Sequence, residues 1–152
     1  MTTPLSGIEK STFLRAPRSR VWRALTNAEE FGRWFGVDIV GSFAPGASVR
    51  MTSTLPECAG DIFTVWVERM DAEHTFSWRW HPGMHLPEVD YSKEPTTLVT
   101  FTLEEAEGGT RLTVVETGFD AITLARRARV YEENVQGWEY QLKEIGKYVA
   151  GN

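Results

Sequence analysis

The chain has 152 residues, enough for one domain over residues 1–152 with a core that needs no staples. Its net charge of −5 argues against nucleic acid as a partner. The one cysteine, Cys58, excludes an internal disulfide and a thiolate zinc site. Residues 1–7 lack the apolar stretch of a signal peptide, and no apolar run approaches the ~20 residues that span a bilayer. A cytoplasmic protein without a membrane span is therefore expected.

In chain order, residues 8–14 alternate and read as a first strand. Ala16 and Pro17 break it, and Pro17 suits the first turn of a helix carrying Val21, Trp22 and Leu25. Asn27, with Glu30 three residues on, predicts the cap of a second short helix that carries Phe31, Trp34 and Phe35 and stops at Gly36. Strands follow at residues 38–40, 48–55, 61–70 and 75–80. In the last of these, Phe76, Trp78 and Trp80 occupy alternate positions and share one face. Residues 81–95 hold three prolines and read as a long binding or lid loop, with Asp90 and Tyr91 as candidates to close a pocket. Residues 97–105 and 110–117 form a hairpin around Glu107, Gly108 and Gly109.

A basic connector, residues 119–127, helical in part, leads into a final helix from about Ala128 to Val149. Its apolar stripe runs Ala128, Tyr131, Val135, Trp138, Leu142, Ile145, Val149, at alternating spacings of three and four. The predicted fold is α+β: a curved antiparallel sheet of six or seven strands around the long helix, with the first strand at an edge beside the last. Gly137 inside the helix costs about 1 kcal/mol relative to alanine, which close approach to the sheet would explain.

The aromatic content is 12% with six tryptophans, more than a small core needs, so a spacious aromatic-lined interior is expected. Trp34, Trp66, Phe76, Trp78, Trp80, Tyr131 and Trp138 are the candidate lining; each ring alone is also a plain core residue. Glu116 alternates with Leu112 and Val114 and so points the same way as they do. It reads as a polar anchor, a proton carrier, or the partner of an arginine such as Arg50; with the opposite strand parity it faces solvent. His74, His81 and His85 make no metal set, because Pro82 and Gly83 prevent a helix from bringing His81 and His85 together. Arg126, Arg127 and Arg129 read as a solvated connector or as partners for the acidic residues of the helix. Nothing marks a catalytic triad, a metal site or a phosphate-cradling loop, so no cofactor and no metal are expected.

Several stretches together carry a family resemblance. They are Arg15-Ala16-Pro17, Val21-Trp22-Arg23-Ala24-Leu25-Thr26, Phe31-Gly32-Arg33-Trp34-Phe35, Phe76-Ser77-Trp78-Arg79-Trp80, residues 109–119, and Gly137-Trp138. On these the chain resembles the START-like, helix-grip superfamily, and within it the bacterial homologues of the heat-shock-chaperone ATPase activator. The resemblance covers roughly residues 8–149. It implies a helix-grip fold and a small apolar, aromatic or lipid-like ligand between sheet and helix. A cyclase or hydrolase in the same cavity, a chaperone-related interaction module and a homodimer stay open alternatives. Chemistry on NAD(P) or an iron–sulfur cluster has no seat, because a glycine-rich dinucleotide fingerprint and a four-cysteine cluster are both missing.

Overall fold

The computed structural model describes residues 7–56, 60–82 and 90–150. The elements are β1 (Gly7–Leu14), α1 (Arg18–Thr26), α2 (Ala28–Phe35), β2 (Val37–Val40), β3 (Ser48–Ser53), β4 (Ile62–Asp71), β5 (Thr75–Trp80), β6 (Thr97–Ala106), β7 (Gly109–Thr117) and α3 (Leu124–Ala150). Short 3-10 turns lie at Tyr91–Lys93 and Phe119–Ala121.

Local chemistry sets the helix ends. The Pro17 carbonyl accepts from the N–H groups of Arg20 and Val21, so the proline precedes α1 rather than lying inside it. Asn27 closes α1 and caps α2, its side-chain oxygen accepting from the Glu30 N–H at 3.0 Å. Gly36 ends α2 at φ 84°, a left-handed conformation that favours glycine.

All seven strands form one antiparallel sheet in the order β1-β7-β6-β5-β4-β3-β2. The first strand pairs with the last, in register from Gly7↔Thr117 to Leu14↔Thr110. At the β6–β7 turn the two strands close tightly on β1. A Cβ at Gly109 would sit 2.0 Å from the Leu14 carbonyl oxygen, so only glycine fits. A bulge between Val67 and Arg69 shifts the β4–β5 register and bends the sheet. Its inner face buries Val49 and Met51, Val65 and Val67, Phe76 and Trp78, Val99 and Phe101, and Leu112 and Val114.

Helix α3 lies in that concavity. Its 27 residues give about 40 Å of length. Trp138, Leu142, Ile145 and Val149 are buried, as the stripe predicts. Two details differ. The helix begins at Leu124, because the basic segment continues it: the Arg127 side chain donates to the carbonyls of Asp120 and Ile122 just ahead of the first turn. Ala128 is exposed, and Val130 takes the inward position. Gly137 does not approach the sheet: a Cβ there would meet nothing within 4 Å. Among the described residues no helix is long and apolar enough to cross a membrane.

Candidate ligand-binding cleft

Glu116 is fully buried on the inner face of β7, where alternation from Leu112 and Val114 places it. Both of its oxygens are acceptors. Oε1 receives the Trp138 indole N–H at 2.8 Å and the Asn134 amide at 2.9 Å. Oε2 receives the Trp80 indole N–H at 2.8 Å, the Thr97 hydroxyl at 2.5 Å and the Asn134 amide at 3.0 Å. Burying a carboxylate without such bonds costs several kcal/mol. Here neutral donors from β5, β6 and α3 take the place of water, so one side chain ties the helix to the centre of the sheet. Arg50 is not its partner. It is exposed and lies on the opposite face of β3 from the buried Val49 and Met51.

Beside this cluster a cleft of about 260 Å³ separates α3 from the β3–β5 end of the sheet. The α3 wall is Glu133, Asn134 and Gln141; the sheet wall includes Ser53, Phe63, Trp80 and His81; Phe35, Gly36 and Val37 close the end at α2, and Leu55 and Asp61 contribute from the β3–β4 connection. Trp80 joins cleft to core. It stacks on Trp138 at 5.8 Å and meets Phe63 edge-on at 5.7 Å, and its N–H is fixed by Glu116. Glu116 is fully buried and both of its oxygens accept from protein donors, so it presents the cleft no unoccupied carboxylate oxygen.

Of the aromatic residues singled out in the sequence, Trp80 lines this cleft. Phe76 and Trp78 are sealed in the core, as is Trp34, whose N–H donates to the Ala24 carbonyl at 2.7 Å. Trp138 backs the cleft through Trp80 and Phe35. Tyr131 is half-buried further along α3; its ring meets Phe119 and its hydroxyl donates to the Gly7 carbonyl. Trp66 lies on the outer face of the sheet, in a second, open groove with Ile62, Arg79, Tyr91 and Ser92. There it meets His81 edge-on at 5.5 Å.

Asp90 caps the turn at Tyr91, accepting from the Ser92 hydroxyl and N–H, and these bonds hold its carboxyl below the usual range. Arg126 packs over the Tyr91 ring and pairs with Glu94, which fastens this turn to the start of α3. Arg129 lies 3.8 Å from Glu133. Residues 83–89 of the proposed lid, His85 among them, and Cys58 lie outside the described residues. Among the described residues no three of His, Cys, Asp and Glu come together as metal ligands would.

The family model for "Activator of Hsp90 ATPase homolog 1-like protein" matches residues 15–150. The chain belongs to this family. No curated protein matches it in sequence. Among solved structures, this member of the activator-like family is similar to protein MLL2253 of Mesorhizobium loti (20% identity, 96% of this chain and 98% of that one, TM-score 0.77). It is also similar to a protein of Arthrobacter aurescens (15% identity, 100% and 91%, TM-score 0.80). A third is DynU16, from the dynemicin biosynthetic locus (21% identity, 95% and 47%, TM-score 0.72). At these identities the likeness is one of fold.

Sequence reasoning did not single out Asn134, Gln141, Phe35 or Phe63 for the site. A signal existed for the first two. Asn134 and Gln141 fall three or four residues from Tyr131, Trp138 and Ile145, so two amides sit in register with the apolar stripe of α3.

Proposed function

We propose that this protein is a binding module holding one small, largely apolar aromatic molecule in the cleft between α3 and the β3–β5 end of the sheet. The observation that carries this reading is the cleft itself: about 260 Å³, walled by Phe35, Phe63 and Trp80, with a few polar groups on the facing helix. Concave sites of mainly apolar lining with a few placed polar groups are the usual form of a small-molecule site, and folds of this kind commonly bind hydrophobic ligands. The volume lies below the roughly 300–1,000 Å³ of drug-sized pockets, which favours a one- or two-ring molecule over a long acyl chain. Binding is favoured over catalysis because Glu116, the buried carboxylate, spends its acceptors on Trp80, Thr97, Asn134 and Trp138.

Trp80 makes the reading testable. An aromatic ligand against that ring should quench indole emission and raise the melting temperature, with micromolar affinity, about −8 kcal/mol, as the expected scale. A panel of one- and two-ring aromatics and fatty acids is titrated into the protein. If none changes emission or melting temperature, the binding-module reading is wrong and a protein-interaction role takes its place.

A further inference from the structure

Gln141 is 7% exposed and lines the α3 wall of the cleft. Its Nε2 donates to the Phe35 carbonyl at 2.8 Å, at the C-terminal end of α2. A carbonyl only accepts, so the amide must turn its nitrogen to Phe35, which fixes Oε1 on the other side. That oxygen is buried and has no hydrogen-bond partner. Two turns earlier on the same wall, Asn134 gives its amide nitrogen to both oxygens of Glu116. The same logic leaves its Oδ1 as the atom not engaged there. Each amide thus has its nitrogen bonded to a protein acceptor, and Gln141 Oε1 is the buried oxygen of this wall left without a partner. Glu133 and Asp61 add carboxylates to the walls, and among the described lining residues there is no lysine or arginine.

We infer, building on the aromatic-cleft reading, that the ligand is an uncharged aromatic hydrogen-bond donor, a phenol or an arylamine, whose O–H or N–H is received by Gln141 Oε1. A buried acceptor without a partner is costly, and a donor delivered on an apolar ring removes that cost while the ring fills the space beside Trp80 and Phe63. An aromatic carboxylate meets the Glu133 carboxylate and no lysine or arginine among the described lining residues, so the cleft disfavours it.

The test uses three ligands of one shape, naphthalene, 2-naphthol and 2-naphthoate, titrated calorimetrically into the wild-type protein at pH 7. 2-Naphthol should bind about tenfold or more tighter than naphthalene, the scale of one well-placed hydrogen bond to a buried group, and 2-naphthoate should bind weakest. Gln141→Met keeps length and apolar volume and removes the acceptor, so the advantage of the naphthol over naphthalene should vanish while naphthalene binding persists. Equal binding of naphthalene and 2-naphthol overturns the donor assignment and leaves the aromatic cleft standing. Tightest binding by the naphthoate overturns it as well, and no binding by any of the three overturns both. A naphthol preference that survives in Gln141→Met removes Gln141 as the receiving group. If that variant does not fold, the wild-type series still decides the donor question.

Discussion

Replacing Glu116 by glutamine keeps the shape of the side chain and exchanges one acceptor oxygen for an NH₂ donor. Whichever way the amide turns, its nitrogen faces an indole N–H. On the Oε1 side it meets Trp138, on the Oε2 side Trp80, each at 2.8 Å in the native protein. The cheaper choice faces Trp80, which is half-buried, and there the Thr97 hydroxyl can reverse and accept from the new amide. That arrangement still forfeits the Trp80 bond, worth roughly 1.5–3 kcal/mol when the acceptor is a carboxylate. The bonds that remain weaken from charged to neutral ones, partly offset by the lower desolvation cost of an amide. The net loss should be about 2–3 kcal/mol, a fall of roughly 4–12 °C in melting temperature for a chain of this size. Urea unfolding followed by tryptophan emission reads it directly, since two of the donors are indoles. A loss under about 1 kcal/mol with an unchanged denaturant slope would refute the claim that Glu116 binds as an acceptor of all four partners.

Two further outcomes follow from the helices. Gly137→Ala should stabilise by about 1 kcal/mol, because the site is exposed, mid-helix and open, so the propensity gain meets no clash; a thermal melt showing destabilisation would contradict the placement. Glu30 joins α1, α2 and α3: burial raises its pKa, but hydrogen bonds from Tyr148 and Arg20, the charge of Arg20 and the bond from Arg23 outweigh burial and hold it below 4.5. Its contribution is therefore complete above pH 4.5 and is lost as pH falls through the lowered value. In urea melts from pH 7 to 3, the stability gap between wild type and Glu30→Gln should be widest at neutral pH and close with acid. A gap that stays constant would show that Glu30 titrates normally.

Alternation and helical spacing made much of this arrangement legible. Period two placed Phe76, Trp78 and Trp80 on one face and sent Glu116 inward with Leu112 and Val114; the three–four spacing oriented Trp138, Leu142 and Ile145. Trp66 resisted because β4 is apolar on both faces: Phe63, Val65 and Val67 alternate with Ile62, Thr64 and Trp66, and nothing local says which set is inside. The partner of Glu116 was hidden for another reason. A buried carboxylate suggests a cation such as Arg50, whereas the fold answers it with neutral donors from residues 80, 97, 134 and 138, which only tertiary pairing assembles. The cleft walls meet likewise from the end of α2, the β3–β4 connection and the middle of α3, so they share no sequence window.

The pairing of β1 with β7 sets the order in which this protein can be built. Gly7 and Thr117 are partners across 110 positions, and Tyr131 reaches back to the Gly7 carbonyl from still later in the chain. During synthesis at roughly 5–20 residues per second, the first strand must wait roughly 5–20 s for its neighbour to emerge. For that interval it is a strand with nothing to pair with, the kind of edge that recruits other chains. Its own sequence guards it: Glu9 and Lys10 sit mid-strand, charged positions that oppose sticking to a stranger yet cost little once β7 arrives and Lys10 finds Glu139 on α3 at 2.8 Å. The earliest of the seven strands is thereby paired only by the latest, and the helix that follows is tied to that same strand through Tyr131 and Glu139.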